Sequence, residues 1–408
     1  MTYLIKGKKG YYQAISALFL GSFVSFMILY SVQTLLPNFT TDYHVSPAVA
    51  SLALSVSTGC LAVSMLLVAP LADAIGKKRL MTTSLFLTSL LCVLVAFSPN
   101  FSTLLVIRAV QGIVLAGFPS IAMAYVSDEF DPKTLGTVMG LHVSGNTIGG
   151  LTGRFLTGVL TEWVSWQFAL LTMGIISLVI SFFFLKLLPE SRRPAKETPS
   201  FRTFALSIVQ PLKEARLLCL FAFSFVLMGS FVTVYNYLGF RLLEPPFSLS
   251  QTWIGMIFFV YLVGTFSSTF MGQVSDKAGK AKTLSVSILI MLIGAGLTLS
   301  QQLLFVILAL CIFTFGFFGG HSIASRWVGE VAARYRAQAA SLYLFCYYLG
   351  SSVIGSSNGF IWEHFKWEGI ITVVCTLIGL ALVLIATFLT LQKRQSAQPP
   401  AALLKKGS

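Results

Sequence analysis

The chain has 408 residues, 56% of them hydrophobic and only 10% charged, with a mean hydropathy of +0.83. Soluble domains carry about 25% charged residues, so this composition excludes a soluble globular protein and leaves an all-α chain that faces lipid or packs helix on helix. The formal net charge of +14 would suit a nucleic-acid partner, but the basic residues are confined to alternate loops, which argues against one.

Crossing a bilayer takes roughly 20 apolar residues. Twelve stretches meet that need: 12–37, 48–71, 80–98, 101–126, 134–160, 166–188, 217–240, 252–273, 282–300, 303–325, 337–361 and 369–391. The first is too long for the apolar region of a signal peptide and no small-residue cleavage site follows it, so it is expected to remain as a span. Between the spans, basic residues cluster at Lys6, Lys8 and Lys9, at Lys77, Lys78 and Arg79, and from Arg192 to Arg216. They recur at Lys277, Lys280 and Lys282, at Arg334 and Arg336, and in the tail at Lys393, Arg394, Lys405 and Lys406. Only Arg241 and Lys366 break the alternation. The positive-inside bias then places both termini in the cytoplasm. The proline-rich stretch 189–216 is expected to link two six-span halves, residues 1–188 and 217–408, with a short amphipathic piece near Phe201–Val209 lying on the membrane surface.

The halves repeat each other. Asp73-Ala-Ile-Gly76-Lys77-Lys78 after span two is matched by Asp276-Lys277-Ala-Gly279-Lys280 after span eight, at a spacing of 203 residues. Gln33 and Asn236 share that spacing. Glu162 with Trp166 matches Glu363 with Trp367 at a spacing of 201. Parallel repeats of six spans place a substrate path on the pseudo-two-fold axis between them.

Polar residues inside spans are costly and mark function or pairing. In span one these are Tyr30, Gln33 and Thr34. In span four Arg108 lies about seven residues, ~10 Å, inside the outer end, with Gln111 at i+3 on nearly the same face. Arg108 therefore faces a cavity or snorkels to the outer headgroups. Span five carries His142, Asn146 and Arg154, and a small-residue face of Gly145, Gly149 and Gly153 with Gly150 beside it, suited to close packing and sliding. The two arginines favour an anionic substrate, or else pair with Asp42 or Glu162 at the outer rim. His142 and His321 are either packed and hydrogen-bonded or titrate in a transport cycle. Tyr235, Asn236, Tyr237, Tyr261, Tyr343 and Tyr347 add aromatic and polar groups either to a pocket wall or to ordinary helix packing. The six cysteines all lie in spans without metal or redox spacing and read as packing residues. No metal-spaced cluster, phosphate-binding loop, serine-nucleophile elbow or zinc-helix motif occurs, so neither an enzyme nor a resident cofactor is expected.

The turn Leu71-Ala72-Asp73-x-x-Gly76-Lys77-Lys78 resembles the signature between spans two and three of the major facilitator superfamily, with Ala69 where that pattern opens on glycine. Arg108-x-x-Gln111-Gly112 resembles its span-four motif. Gly145-Asn146-x-x-Gly149-Gly150 resembles its antiporter signature, with Asn146 in place of the proline. The resemblance covers the whole length and is to twelve-span exporters of the drug–proton antiporter type, the YnfM-like transporters in particular. It implies two six-helix bundles rocking about a central site, with proton entry driving efflux of a small organic molecule. It also implies that Asp73, Gly76, Lys77 and Lys78, with Asp276, Gly279 and Lys280, latch the cytoplasmic side in the outward-open state. Asp128 or Glu129 would be the partner. Arg108 would tune the coupling site. Expected partners are membrane lipid and the substrate, with the protein a monomer. Uptake or facilitated passage of a small anionic metabolite is the rival within transporters, and a transport-dead membrane receptor the rival outside them.

Overall fold

The computed structural model describes residues 3–191, 207–332 and 335–397, apart from the side chains of Ala69, Pro70, Asp73 and residues 395–397. Most of the expected surface piece at 201–209, and the basic residues at 192–202, 334 and 405–406, lie outside this set.

Twelve helical segments follow in chain order: α1 (Lys9–Tyr43), α2 (Pro47–Met65, continued by Val68–Ile75), α3 (Lys77–Val95), α4 (Phe101–Glu129), α5 (Leu135–Trp163) and α6 (Trp166–Leu187). The second set is α7 (Ala215–Leu243), α8 (Gln251–Ala278), α9 (Lys280–Leu297), α10 (Leu303–Val331), α11 (Arg336–Ser357) and α12 (Gly359–Ala397, kinked at Lys366). No β-strand occurs among the described residues; one isolated bridge joins Leu4 to Phe130. Ten of the helices are long and apolar enough to cross a membrane. The two that fall short are α5 and α11, which occupy equivalent places in the two halves. Glycine, threonine, serine and tyrosine dilute them because they bury their faces against other helices rather than lipid.

The packing repeats with the sequence. α5 lies along α1 as α11 lies along α7, and α3 lies along α6 as α9 lies along α12. Between the halves α5 meets α8, and α2 meets α11. Helices break where residues demand it. α4 is interrupted over Ala116–Phe118 just before Pro119, whose ring removes a backbone donor. The two charged turns both hinge on a glycine at positive φ, Gly76 at 97° and Gly279 at 88°, a conformation that a Cβ disfavours.

The basic loops define one face of the molecule. At the other face the halves are clamped. Gln251 Nε2 donates to Asn38 Oδ1 (3.0 Å), Thr252 N donates to Glu162 Oε2 (2.7 Å), and Ser352 Oγ donates to the Ser55 carbonyl (2.6 Å). Helices touch there through missing side chains: a Cβ on Gly158 would strike the Gln251 carbonyl at 2.6 Å, and one on Gly359 would strike Ala48. Among the described residues no hydrogen bond or ion pair joins the halves near the basic face.

Candidate functional site

Gln33 and Asn236, equivalent residues of the two halves, touch each other: Gln33 Nε2 donates to Asn236 Oδ1 at 2.8 Å. Equivalent positions of a two-fold repeat meet only on its axis, so this bond marks the axis. Asn236 Nδ2 continues to the Gly355 carbonyl of α11 (3.2 Å), and Gln33 Oε1 accepts from Arg154 Nε of α5 (2.7 Å). One polar chain thus crosses α5, α1, α7 and α11.

Arg154 is 2% exposed. Its Nη1 donates to the Gly150 carbonyl one turn back, at 2.9 Å, folding the guanidinium along the helix. Gly150 makes that course possible, because a Cβ there would stand 3.2 Å from Nη1. The guanidinium carbon sits over three rings, Tyr30 (4.1 Å), Tyr261 (4.7 Å) and Phe258 (4.9 Å). Cation–π attraction replaces part of the lost hydration. Tyr235 closes the back of this cage, 4.9 Å from Tyr261 and bonded to Thr314 Oγ1 at 2.6 Å. Both helices of the cage change pitch beside the arginine, α1 to a 3₁₀ turn at Val32–Leu35 and α8 at Phe258–Val260. Such mid-helix turns mark hinges or strain.

Arg108 differs. It is 1% exposed, and all three of its nitrogens are spent inside the first bundle: Nε on the Ala53 carbonyl (2.8 Å), Nη2 on the Leu29 carbonyl (3.0 Å) and Nη1 on Gln111 Oε1. Gln111 Nε2 passes the network to the Thr88 carbonyl (2.9 Å). Arg108 therefore ties α4 to α1, α2 and α3, neither lining the interface nor snorkelling outward. His142 is also interior to that bundle, with Nδ1 2.6 Å from Ser22 Oγ and its ring near Phe118. The structure thus groups Tyr30, Gln33, Arg154, Tyr235 and Asn236 at the axis and sets Arg108, Gln111 and His142 apart. Asn146 lies two turns below Arg154 on the same face of α5, and its Oδ1 is buried without a partner among the described residues. His321 of α10 stands 3.1 Å from Tyr343 Oη and stacks near Phe317 and Tyr347.

The outer-rim pairing of the arginines is not formed. Asp42 accepts from Trp166 Nε1 (2.6 Å), and Glu162 caps the start of α8. Phe258 was not singled out by sequence; its signal is the i, i+3 spacing to Tyr261 on one helix face. Gly145, Gly149 and Gly153 seat α5 on α1, where a Cβ on each would lie 2.2–2.6 Å from the Phe19, Phe23 or Met27 carbonyl.

At the basic face the duplicated turns make the same ion pair twice. Lys77 pairs with Asp128 between α3 and α4, and Lys280 pairs with Glu330 between α9 and α10. Asp276 accepts from Arg326 at 2.7 Å, and Lys78 stands 3.4 Å from Glu190. The pairs of Lys77, Lys280 and Asp276 each lie within one half, and that of Lys78 reaches the start of the linker. The Asp73 side chain lies outside the described residues. Among the described residues no cluster of His, Cys, Asp or Glu could hold a metal.

Two bundles related by an axis along the membrane normal, with a polar chain on that axis, define a membrane transporter. The chain belongs to the Major Facilitator Superfamily, whose family model matches residues 18–244 and 237–406. It is 45% identical over 382 residues to the uncharacterized MFS-type transporter YybF of Bacillus subtilis (strain 168), covering 94% of this chain and 95% of that one. It is 37% identical over 383 residues to the inner membrane transport protein YnfM of Escherichia coli (strain K12), covering 93% and 91%. Among solved structures, a bacterial homolog of the human lysosomal transporter Spinster, inward-facing and occupied, superposes with a TM-score of 0.77 at 16% identity, covering 95% and 98%.

Proposed function

We propose that this transporter exports a small organic molecule in exchange for protons, by alternating access about the Gln33–Asn236 axis. The observation that carries the reading is the one-sided clamp: the halves are bonded at the face away from the basic loops, and among the described residues no bond between them is found near the basic loops. Rocking about the axis would exchange the two faces. α5 suits the moving part, since its glycine face rests on the α1 backbone and it carries Arg154 at the centre. The likeness of that glycine face to the antiporter signature supports efflux. The positive-inside bias supports a cytoplasmic basic face, with both termini there, in the cell membrane. The turns holding Asp73, Gly76, Lys77 and Lys78, and Asp276, Gly279 and Lys280, would latch the cytoplasmic side once the bundles close there. Every described Asp and Glu lies near a helix end, beside the kink of α12 or in a loop, so the proton carrier would be a histidine. His321, beside Tyr343 and Tyr347, fits better than His142 within the first bundle.

Uptake of a small anionic metabolite is the second reading, favoured by Arg154, which has no carboxylate partner among the described ion pairs. Inverted vesicles energised to an acidic interior decide between the two. A compound that collapses the pH gradient in vesicles holding the protein, and not in empty ones, supports exchange with protons. Counterflow of an anion with no proton movement overturns it and leaves the second reading.

A further inference from the structure

We infer that Arg154 is the anchor for the cargo, and that the cargo is a small aromatic organic anion with a hydrogen-bond donor about one helical turn from its charge. The inference rests on the transport reading above and deepens it.

A guanidinium has five N–H donors. Arg108 spends each of its nitrogens on a protein oxygen. Arg154 spends Nε on Gln33 and one Nη1 hydrogen on Gly150, and among the described residues the second Nη1 hydrogen and both Nη2 hydrogens have no acceptor. Those are the hydrogens that grip a carboxylate in two parallel bonds. The acids nearest along α1 and α5 are already engaged, Asp42 by Trp166 and Glu162 by Thr252. The repeat does not supply a second cation, because the position equivalent to Arg154 is Gly355. A single buried positive charge on the axis between two moving bundles is therefore left to be completed by something other than this chain.

The surroundings specify the rest of the molecule. Tyr30 belongs to the first half and Phe258 and Tyr261 to the second, so rings from both sides surround the guanidinium, and an aromatic body bound to it would lie among them. Asn146 Oδ1 is a buried acceptor without a partner. Because Arg154 folds back onto Gly150, its charge lies about one turn, ~5.4 Å, from Asn146. A ligand hydroxyl or amide N–H at that distance from a carboxylate would satisfy both.

The test uses four probes of one skeleton: 4-hydroxybenzoate, benzoate, 4-hydroxybenzyl alcohol and (4-hydroxybenzyl)trimethylammonium. Binding to the purified full-length protein is read from ligand-induced shifts in thermal unfolding. The expected order is 4-hydroxybenzoate, then benzoate, with the alcohol and the cation at least tenfold weaker. Arg154→Gln is expected to weaken both carboxylates at least tenfold, and Asn146→Leu to erase only the advantage of the hydroxyl. Gln33→Glu places an internal carboxylate on Arg154 at the cost of the donor to Asn236; it is expected to lose carboxylate binding to the same extent while keeping a single cooperative unfolding transition, which separates loss of the site from loss of the fold. Equal binding of the cation or the alcohol, or unchanged carboxylate affinity in Arg154→Gln or Gln33→Glu, overturns the inference. Counterflow in vesicles keeps the two readings apart: passage of the alcohol or the cation with refusal of both carboxylates leaves the transport reading standing and this inference overturned. Refusal of all four also overturns it, and transport itself then rests on the proton assay.

Discussion

At the scale of single residues, two arginines at similar depth have opposite energetics. Arg108 satisfies the carbonyls of Ala53 and Leu29 and the Gln111 amide. Arg108→Leu leaves the buried Gln111 amide oxygen without its donor and removes two further charge-assisted bonds to helix carbonyls, each worth about 1–3 kcal/mol, so denaturation in detergent micelles should show a loss of at least about 2 kcal/mol. Arg154→Leu removes a buried charge that no acid balances and should leave stability unchanged or slightly raised, by the same measurement. Sequence showed both arginines and the amide at i+3 of Arg108. It did not show which arginine faces the axis, because that depends on the rotation of α4 and α5 about their own axes. The 3.6-residue period leaves that rotation open in helices that are apolar on nearly every side. The repeat did show one residue pair of the site: Gln33 and Asn236 align at equal spacing, and their meeting follows from two-fold geometry.

At the scale of helices, α5 is held to α1 by absence of side chains. A Cβ on Gly149 would stand 2.2 Å from the Phe23 carbonyl, closer than atoms can approach. Gly149→Val should push α1 and α5 apart at a cost of about 1–3 kcal/mol, visible as a lower melting temperature and as weaker transport. Gly140, nine residues earlier in α5 and with open space around its Cβ position, should accept Ala without loss. The glycine period, the twelve spans and the glycine turns at 76 and 279 were all legible in the sequence. Of the 3₁₀ turns beside Arg154, the one at Val32–Leu35 is set by Pro37, which has no N–H for an α-helical bond to the Gln33 carbonyl; the one at Phe258–Val260 was not legible, since no proline follows it. Another contact between helices carries a pH dependence. Glu162 lies past the apolar stretch of α5 and caps α8, and hydrogen bonds from Ser250 and Thr252 hold its carboxyl below the ordinary 4.5. A depressed carboxyl contributes its clamp above the ordinary value and loses it as pH falls through the lowered one. Acidification below about 4.5 should therefore loosen the far face. A cysteine placed at Gln251, in a background without the native cysteines, should then react faster with an impermeant maleimide. Glu162→Gln should react fast at every pH.

At the scale of the whole molecule, the contacts divide into those within a half and those between halves, and only the second kind must break during transport. Cysteines at Ser55 and Ser352, whose native side chain and carbonyl are bonded across the interface, should form a disulfide that stops transport until it is reduced. Cysteines at Ser89 and Ser181, whose hydroxyls lie 3.4 Å apart within one half, should leave transport of the oxidised protein within about twofold of the reduced form. Equal inhibition by both would mean that the bundles do not move as rigid bodies.

The shortfall in apolarity of α5 and α11 bears on how the chain is made. A segment with an arginine near its centre partitions poorly into lipid by itself, by about 2.5–3.5 kcal/mol on insertion scales. α5 emerges from the ribosome after α1, whose backbone its glycines fit, and α11 emerges after α7. Each can therefore enter the bilayer against a partner already in place. Biogenesis would stall at two defined points of synthesis if either partner were missing, so nascent chains lacking α1 should leave α5 stranded outside the membrane while the more apolar helices insert unaided.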